Sequence, residues 1–397
     1  MKVVIVDPNS DSLHYAYSLC QALSQENVNV ELVTKYDYEW MGKKKDFSVK
    51  NMFFKISTWL IYEFAFFNHQ RSRQVMKGLE YVVDYLFFIR HCLGTKPDII
   101  HFQWFLIPLA DAIYLKVLKR LGFRIVYTAH NILPHEETKN DKKKYERVYN
   151  TVDRIIMHSH NNKVELLDLL TVESSKIKII PHGGYDDFKI IERMSKEDAR
   201  NRLNMSKAGE TILFFGIIRE YKGLQYLIKS LKIVKEKFPQ VKLVIAGKPA
   251  VDFWKHFKLI DDLSLGESIS LHLQFIPTKD VPLYFYASDL VVLPYIKTYQ
   301  SGIVFMAYTF KRPVVVTKTG GLPEVVEDGK SGYVVPPRDE NLLAEAIIKI
   351  LKNKKLAKRM GDYGAQIAKT KHSWSLIAER TMRLYQNLLT EGEKVNK

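Results

Sequence analysis

The chain has 397 residues, 46% of them apolar, and a formal net charge of +16. That length exceeds one ordinary core and that apolar fraction excludes a disordered chain, so two globular domains are expected. The two cysteines, Cys20 and Cys92, exclude a disulfide framework, have no metal-ligand spacing, and fit a reducing, cytoplasmic compartment.

KVVIVD (2–7) reads as a buried strand, with no basic region, long apolar segment and cleavage site of a secretory leader before it. A helical pattern follows at Leu13, Tyr17, Leu19 and Leu23. VELVT (30–34), DIIHFQ (98–103), RIVYTAH (124–130) and RIIMHS (154–159) are further short strands, and a helical stretch follows most of them. KIKIIPHGG (176–184) is a strand and a turn, after which the alternation restarts. TILFFG (211–216), a helix over 223–237, VKLVIAG (241–247), SISLHLQF (268–275), DLVVLPY (289–295) and PVVVT (313–317) form the second series. A last helix covers about 373–389. The expected fold is α/β, with two parallel sheets covered by helices and a domain boundary near 186–195. No run of about 18 uncharged apolar residues suggests a spanning helix.

In open parallel sheets, ligands bind beyond the carboxyl ends of the strands. His101, His130, Ser159, Gly216, Gly247 and Pro294 occupy such places. In FFGIIREYKGLQYLI (214–228), Arg219 and Lys222 lie in the loop after a strand, and Gly223 opens a helix. Two cations beside a helix N-terminus make an anion site. Such a site would stabilise the charge that grows on a departing diphosphate. Read alone, the pair is equally an ordinary loop. In 294–335, a Ser301-Gly302-Ile303 turn precedes a helix, and Gly320-Gly321 follows a buried strand. These features offer backbone N–H groups and close backbone approach, or simple turn punctuation.

Five segments occur in an order that is specific together: IIPHGGYDDF, FFGIIREYKG, KLVIAG, DLVVLPY and SGIVFMAYTFKRPVVVTKTGGLPEVVEDGKSGYVV. They resemble the retaining GT-B glycosyltransferases of family 4, also called glycosyl transferases group 1. The resemblance implies two facing Rossmann-like domains. The N-terminal domain (1–188) is on the acceptor side, completed by a C-terminal helix (372–397) that crosses back to it, and the second (189–371) is on the nucleotide-sugar side.

It further implies roles for individual residues. His130, Arg219 and Lys222 carry the chemistry, His130 by reaching the donor sugar. Arg219, Lys222, Ser301, Gly302 and Ile303 meet the diphosphate, and Phe275, Ile276 and Pro277 hold the nucleobase. Tyr299, Gly320, Gly321 and Glu324 lie near the donor sugar or ribose, and Ser10, Asp11, His14 and Glu136 on the acceptor side. The chain departs from the family in two places. Ile217 stands where the family arginine usually sits, with Arg219 two positions later as its replacement. Tyr299 and Ala307 stand where the family carries a pair of glutamates.

No cofactor or metal is expected. His130, His135 and Glu136 do not have the H-E-x-x-H spacing of a helical zinc site. The basic charge fits a nucleotide diphosphate or an anionic membrane. No zinc finger, basic zipper or RNA-binding sheet signature points to nucleic acid. MFFKISTWLIYEFAFF (52–67) and YVVDYLFFIRHCL (81–93), with Lys43–45 and Lys142–144, read either as a peripheral membrane contact or as core helices beside solvated lysines. The expected partners are a nucleotide-sugar donor and a glycan or lipid-linked acceptor, at a cytoplasmic location. Two other functions use this fold: a noncatalytic partner subunit, suggested by Tyr299 and Ala307, and a nucleotide-sugar 2-epimerase, whose extra acidic and histidine groups have no clear counterparts here.

Overall fold

The computed structural model describes residues 1–35, 45–58, 70–134, 138–185, 194–206 and 208–395. Contacts divide the chain into two units. Unit 1 comprises Met1–Pro181 with Trp374–Lys397, and unit 2 comprises His182–Ser373. The expected boundary at 188/189 lies outside the described residues.

Unit 1 holds a sheet of seven strands in the order β3-β2-β1-β4-β5-β6-β7, every neighbouring pair parallel. The strands are β1 (Lys2–Asp7), β2 (Asn29–Lys35), β3 (Ser48–Phe53), β4 (Ile99–Phe102), β5 (Arg124–Thr128), β6 (Arg154–Met157) and β7 (Ile177–Ile179). The strand order reverses direction between β1 and β4. Sequence reading missed β3, an edge strand whose Ser48, Val49 and Lys50 are exposed.

Unit 2 holds six strands in the order β10-β9-β8-β11-β12-β13, again all parallel. They are β8 (Thr211–Phe215), β9 (Lys242–Ala246), β10 (Ile269–His272), β11 (Leu290–Leu293), β12 (Val314–Thr317) and β13 (Gly332–Val335). Here the order reverses between β8 and β11. Along the strands, Ile212, Leu243, Ile245, Leu290 and Val292 enter one apolar cluster, while Leu213, Val244, Ala246, Val291 and Leu293 enter the other. Both faces are buried, which is why these strands read as continuous apolar runs rather than alternating ones.

The covering helices follow from their spacing. In Leu224–Lys237, Leu224, Leu227, Ile228, Leu231 and Val234 are buried, a stripe at helical period. Fully burying each such side chain contributes roughly 1.5–3 kcal/mol. Pro239 follows its end, where a helix cannot continue. The last helix, Trp374–Val395, belongs to unit 1. Its Ile377, Ala378, Leu384, Tyr385 and Leu388 share a core with Tyr15, Ala16 and Leu19 of the helix Leu13–Gln25. Arg154 and Glu391 pair between the strand β6 and this helix. Among the described residues, no helix is long and apolar enough to cross a membrane.

Candidate active site

In unit 2 the reversal between β8 and β11 opens a crevice beyond the strand ends, the place where doubly wound sheets bind ligands. The loop after β8 begins at Gly216, whose φ is +97°, a left-handed value that favours glycine. The Lys222 amine lies there, 3.2 Å from where a Gly216 Cβ would stand, and Ile303 Cδ1 is 3.7 Å from that point. The segment Glu220–Lys222 forms a short 3-10 turn in which the Lys222 N–H donates to the Arg219 carbonyl at 3.1 Å. Gly223 then takes φ +65° and packs on the strand end of β11, where a Cβ would meet the Pro294 carbonyl oxygen at 2.1 Å. The Ile296 N–H donates to the Tyr221 carbonyl at 2.7 Å. The cation-bearing turn is thus clamped to the segment after β11. Gly223 does not begin the helix proper. It is the left-handed hinge between that turn and Leu224–Lys237.

Lys222 is buried, and burial together with the nearby Arg219 charge lowers its pKa to about 8. Its Nζ sits 5.6 Å from the centre of the Tyr295 ring. Tyr295 Oη is 3.3 Å from Ser301 Oγ, and Ser301 caps the helix Gly302–Thr309 by accepting from the Ile303 N–H at 3.3 Å. The structure therefore brings together Lys222, Ser301 and Ile303, with Tyr295 between them. Sequence reading had not assigned Tyr295, although it ends the strand motif DLVVLPY. Gly302 lies beneath Tyr185, whose Oη is 2.3 Å from where a Cβ would stand.

The remaining residues expected on the donor side also follow strand ends. Phe275, Ile276 and Pro277 come after β10, with Phe275 67% exposed and Ile276 packed on the core. Gly320 has φ +49°, and a Cβ there would stand 1.9 Å from the Thr298 carbonyl oxygen. The Gly321 N–H donates to the Tyr299 carbonyl at 2.8 Å. Close approach at Gly320 is thus explained by the chain's own backbone. Glu324 is exposed in the first turn of Leu322–Val325. Tyr299 and Ala307, the glutamate positions of the resemblance, are both buried.

In unit 1 the reversal falls between β1 and β4. The Asp7 carboxylate ends β1 and accepts from the Asp11 and Ser12 N–H groups at 3.1 and 3.0 Å. Burial and the Asp11 charge raise its pKa to about 7. Ser10, at φ +59°, shares a 2.9 Å hydrogen bond with Thr34 Oγ1. This ties down the loop that carries Ser10 and Asp11, while His14 lies in the first turn of the helix Leu13–Gln25 that follows. His130, beyond β5, is buried and engaged through both ring nitrogens. Nε2 is 3.1 Å from Gln103 Oε1, and Nδ1 is 3.3 Å from His158 Nε2. Its ring stacks on Trp104 at 5.4 Å and meets Tyr15 edge-on at 4.8 Å. Asp7, Gln103 and His158 were not assigned from sequence. Each is an isolated strand-end residue there, and only the parallel register makes them neighbours. His135 and Glu136 lie outside the described residues. Among the described residues, no group of three His, Cys, Asp or Glu side chains is placed to hold a metal ion.

Comparison with known proteins agrees with this architecture. Residues 195–367 match the family model of glycosyl transferases group 1, and residues 14–184 match that of glycosyltransferase family 4. The D-inositol 3-phosphate glycosyltransferase of Corynebacterium urealyticum is 22% identical over 76% of this chain and 74% of its own length. The phosphatidyl-myo-inositol mannosyltransferase of Mycobacterium leprae is 29% identical over 48% of this chain and half of its own length (50%). Among solved structures, the sucrose-phosphate synthase of Thermosynechococcus elongatus superposes with a TM-score of 0.78 at 18% identity, covering 98% of this chain and 100% of that one. HepE of Anabaena in complex with UDP gives 0.74 at 17% identity, with the same coverage of 98% and 100%. The two family models fall one on each half of the chain and together span most of it, each matching a doubly wound sheet, and the protein belongs to the GT-B glycosyltransferases of family 4.

Proposed function

We propose that the protein transfers a hexosyl group, with retention of configuration and without a metal ion, from a UDP- or GDP-sugar to a glycan or lipid-linked acceptor. The observation that carries this reading is the Lys222 amine held over Gly216 at the strand reversal, next to the Ser301-capped helix start. A diphosphate at that point meets a buried cation whose protonated form it stabilises, a second cation at Arg219, and backbone N–H groups. Similarity to HepE, solved in complex with UDP and with UDP-glucose, supports a nucleotide-sugar donor. The relatives named above are transferases, which favours this reading over a noncatalytic subunit or an epimerase.

The test is a screen of UDP-, GDP- and ADP-sugars by thermal shift, followed by nucleotide release with acceptor. The anomeric configuration of the product decides retention. Because protein cations neutralise the diphosphate, saturating EDTA is expected to leave turnover nearly intact. A collapse restored by Mg²⁺ or Mn²⁺ would refute metal independence.

A lipid-linked acceptor is supported by one surface of unit 1. On the helix Gln70–Thr95, Tyr81, Tyr85, Phe88 and Cys92 are buried, while Val75, Leu79, Val82, Val83, Leu86, Phe87 and Leu93 are exposed, Leu79 to 68% and Leu86 to 60%. Of the exposed positions between Val75 and Leu93, only Arg90 is charged. Tyr114 of the helix Pro108–Arg120 bonds the Val82 carbonyl at 3.3 Å, and the same helix exposes Ile113. One turn further, Lys116 lines a groove with Lys143, Arg147 and Glu146. Apolar residues bordered by cations suit an anionic bilayer surface, whereas a second copy would set like charges against each other. This surface coincides with the 81–93 stretch and Lys143 singled out from sequence, but not with 52–67. Phe53 and Phe54 of the 52–67 stretch are core, and residues 59–67 lie outside the described ones. Binding to anionic vesicles is expected to exceed binding to neutral ones, and to fall with salt and in Leu79→Asp/Leu86→Asp. Equal binding to both vesicle types, or dimerisation lost in that variant, would remove the membrane reading.

A further inference from the structure

The His130 side chain sits in a chain of hydrogen bonds that determines which of its nitrogens carries the proton. His158 Nδ1 is 2.9 Å from the Ile180 carbonyl oxygen, which can only accept, so Nδ1 of His158 holds a proton. In a neutral ring, His158 Nε2 is then an acceptor. It faces His130 Nδ1 at 3.3 Å, so that nitrogen of His130 must be the donor. His130 Nε2 lies 3.1 Å from Gln103 Oε1, and because the two ends of a carboxamide have the same shape, the orientation of that amide is decided by its hydrogen-bond partners.

The other side of Gln103 completes the pattern. Its amide lies 3.3 Å from His101 Nε2, which is also 2.7 Å from Thr128 Oγ1, while His101 Nδ1 is 2.6 Å from Tyr385 Oη. His101 is fully buried, and burial lowers its pKa to about 3, so it stays neutral. Rotating the amide by 180°, so that the Gln103 –NH2 faces His130 and its oxygen faces His101, gives every member a matching partner without a buried charge. Tyr385 donates to His101 Nδ1. His101 Nε2–H is shared between Thr128 and the Gln103 oxygen. Gln103 donates to His130 Nε2, His130 Nδ1–H to His158, and His158 Nδ1–H to Ile180. With the amide left as placed, its oxygen facing His130, one of the two rings, His130 or His158, must be a buried imidazolium. Thr128 and Gln103 then compete for one lone pair on His101, a costlier arrangement.

We propose that His158 is a positioning residue that locks His130 in the Nδ1–H tautomer, making His130 Nε2 a hydrogen-bond acceptor. A sugar hydroxyl that reaches Nε2 would donate to its lone pair in place of the Gln103 amide. The proposal builds on the reading of His130 as a donor-side contact, and the measurements below separate the two.

Protein labelled with ¹⁵N in its histidines reports the tautomer directly, with His130→Asn assigning the signal. The expected spectrum shows a protonated Nδ1 and a bare Nε2 for His130 in the unmodified protein. In His158→Leu the lock is lost, the signal moves towards the Nε2–H form, and kcat falls about tenfold with little change in KM. His158→Gln, whose side-chain oxygen can accept from Nδ1–H, is expected to keep the tautomer and recover kcat to within about threefold of the unmodified protein. An Nε2–H tautomer for His130 in the unmodified protein would overturn the proposal even where His158→Leu fails to fold. Equal kcat in the Leu and Gln variants would also overturn it. If the tautomer is as expected but His130→Ala retains full kcat, the lock stands and the donor contact of His130 is what fails.

Discussion

Lys222→Ala is expected to lower kcat/KM by about 10²-fold or more, with most of the loss in kcat. The expectation follows from where the amine sits. It is buried at the end of β8, held over Gly216, and carries a pKa lowered to about 8 by burial and by the Arg219 charge. A departing diphosphate gains negative charge as the sugar bond breaks, so its attraction to this amine is greatest in the transition state. Alanine removes that differential attraction. Lys222→Met separates charge from packing, because it fills the same space without a cation. In the unliganded protein the lysine is a destabilising group. Its folded pKa lies below the usual 10.5, so the penalty is complete below pH 8 and is relieved as pH rises from about 8 towards 10.5. Methionine avoids the penalty, on the order of 1–3 kcal/mol, and should raise Tm at pH 7 while abolishing most turnover. The diphosphate reverses the sign by favouring the protonated amine. Donor affinity is therefore expected to decline above pH 8 in the unmodified protein and to lose that decline in Lys222→Met. Turnover near that of the unmodified protein in Lys222→Ala would remove the diphosphate site from this loop.

The two sheets were legible because their central strands, among them β1, β4, β8, β9, β11 and β12, are buried on both faces and rich in Val, Ile and Leu. The missed strand β3 lacks that pattern. Ser48, Val49 and Lys50 face solvent at the sheet edge, and only Phe53 is fully buried. β13 was hidden differently, as four residues inside a segment read for its glycines. In the site, the cations of unit 2 were legible because Gly216 and Gly223 flank them within a single loop, where spacing alone reports the geometry. The hydrogen-bond chain of unit 1 was not. Gln103, His130 and His158 are separated from one another by 27 and 28 residues, and only the order β4-β5-β6 makes them adjacent. Tyr299 and Ala307 read as a departure from a family pattern. Their burial shows what replaced the carboxylates, since an ionised glutamate at Ala307 would sit among Val304, Tyr308 and Leu322 with a large desolvation cost.

Arg219→Ala is the second large effect, expected to cost on the order of 10²-fold in kcat/KM, and it asks a narrower question than Lys222. Ile217, at the usual arginine position, is 51% exposed, while Ile218 is buried and pairs with Pro249. The loop therefore alternates outward, inward and outward again. Arg219 emerges two positions after Ile217, half-buried at the start of the turn that carries Lys222. That same-side spacing is the physical basis for treating Arg219 as the replacement. Its charge already acts on Lys222, as expected if both cations meet one diphosphate. Residues that act on one charge are coupled, and the double variant should lose less than the product of the two single losses. Placing the arginine back at the usual position, Ile217→Arg in the Arg219→Ala background, is expected to restore at least tenfold of the activity if position along the loop is what matters. Full activity in Arg219→Ala alone would show that Ile217 has no replacement and that Lys222, with the helix start at Ser301, neutralises the leaving group unaided.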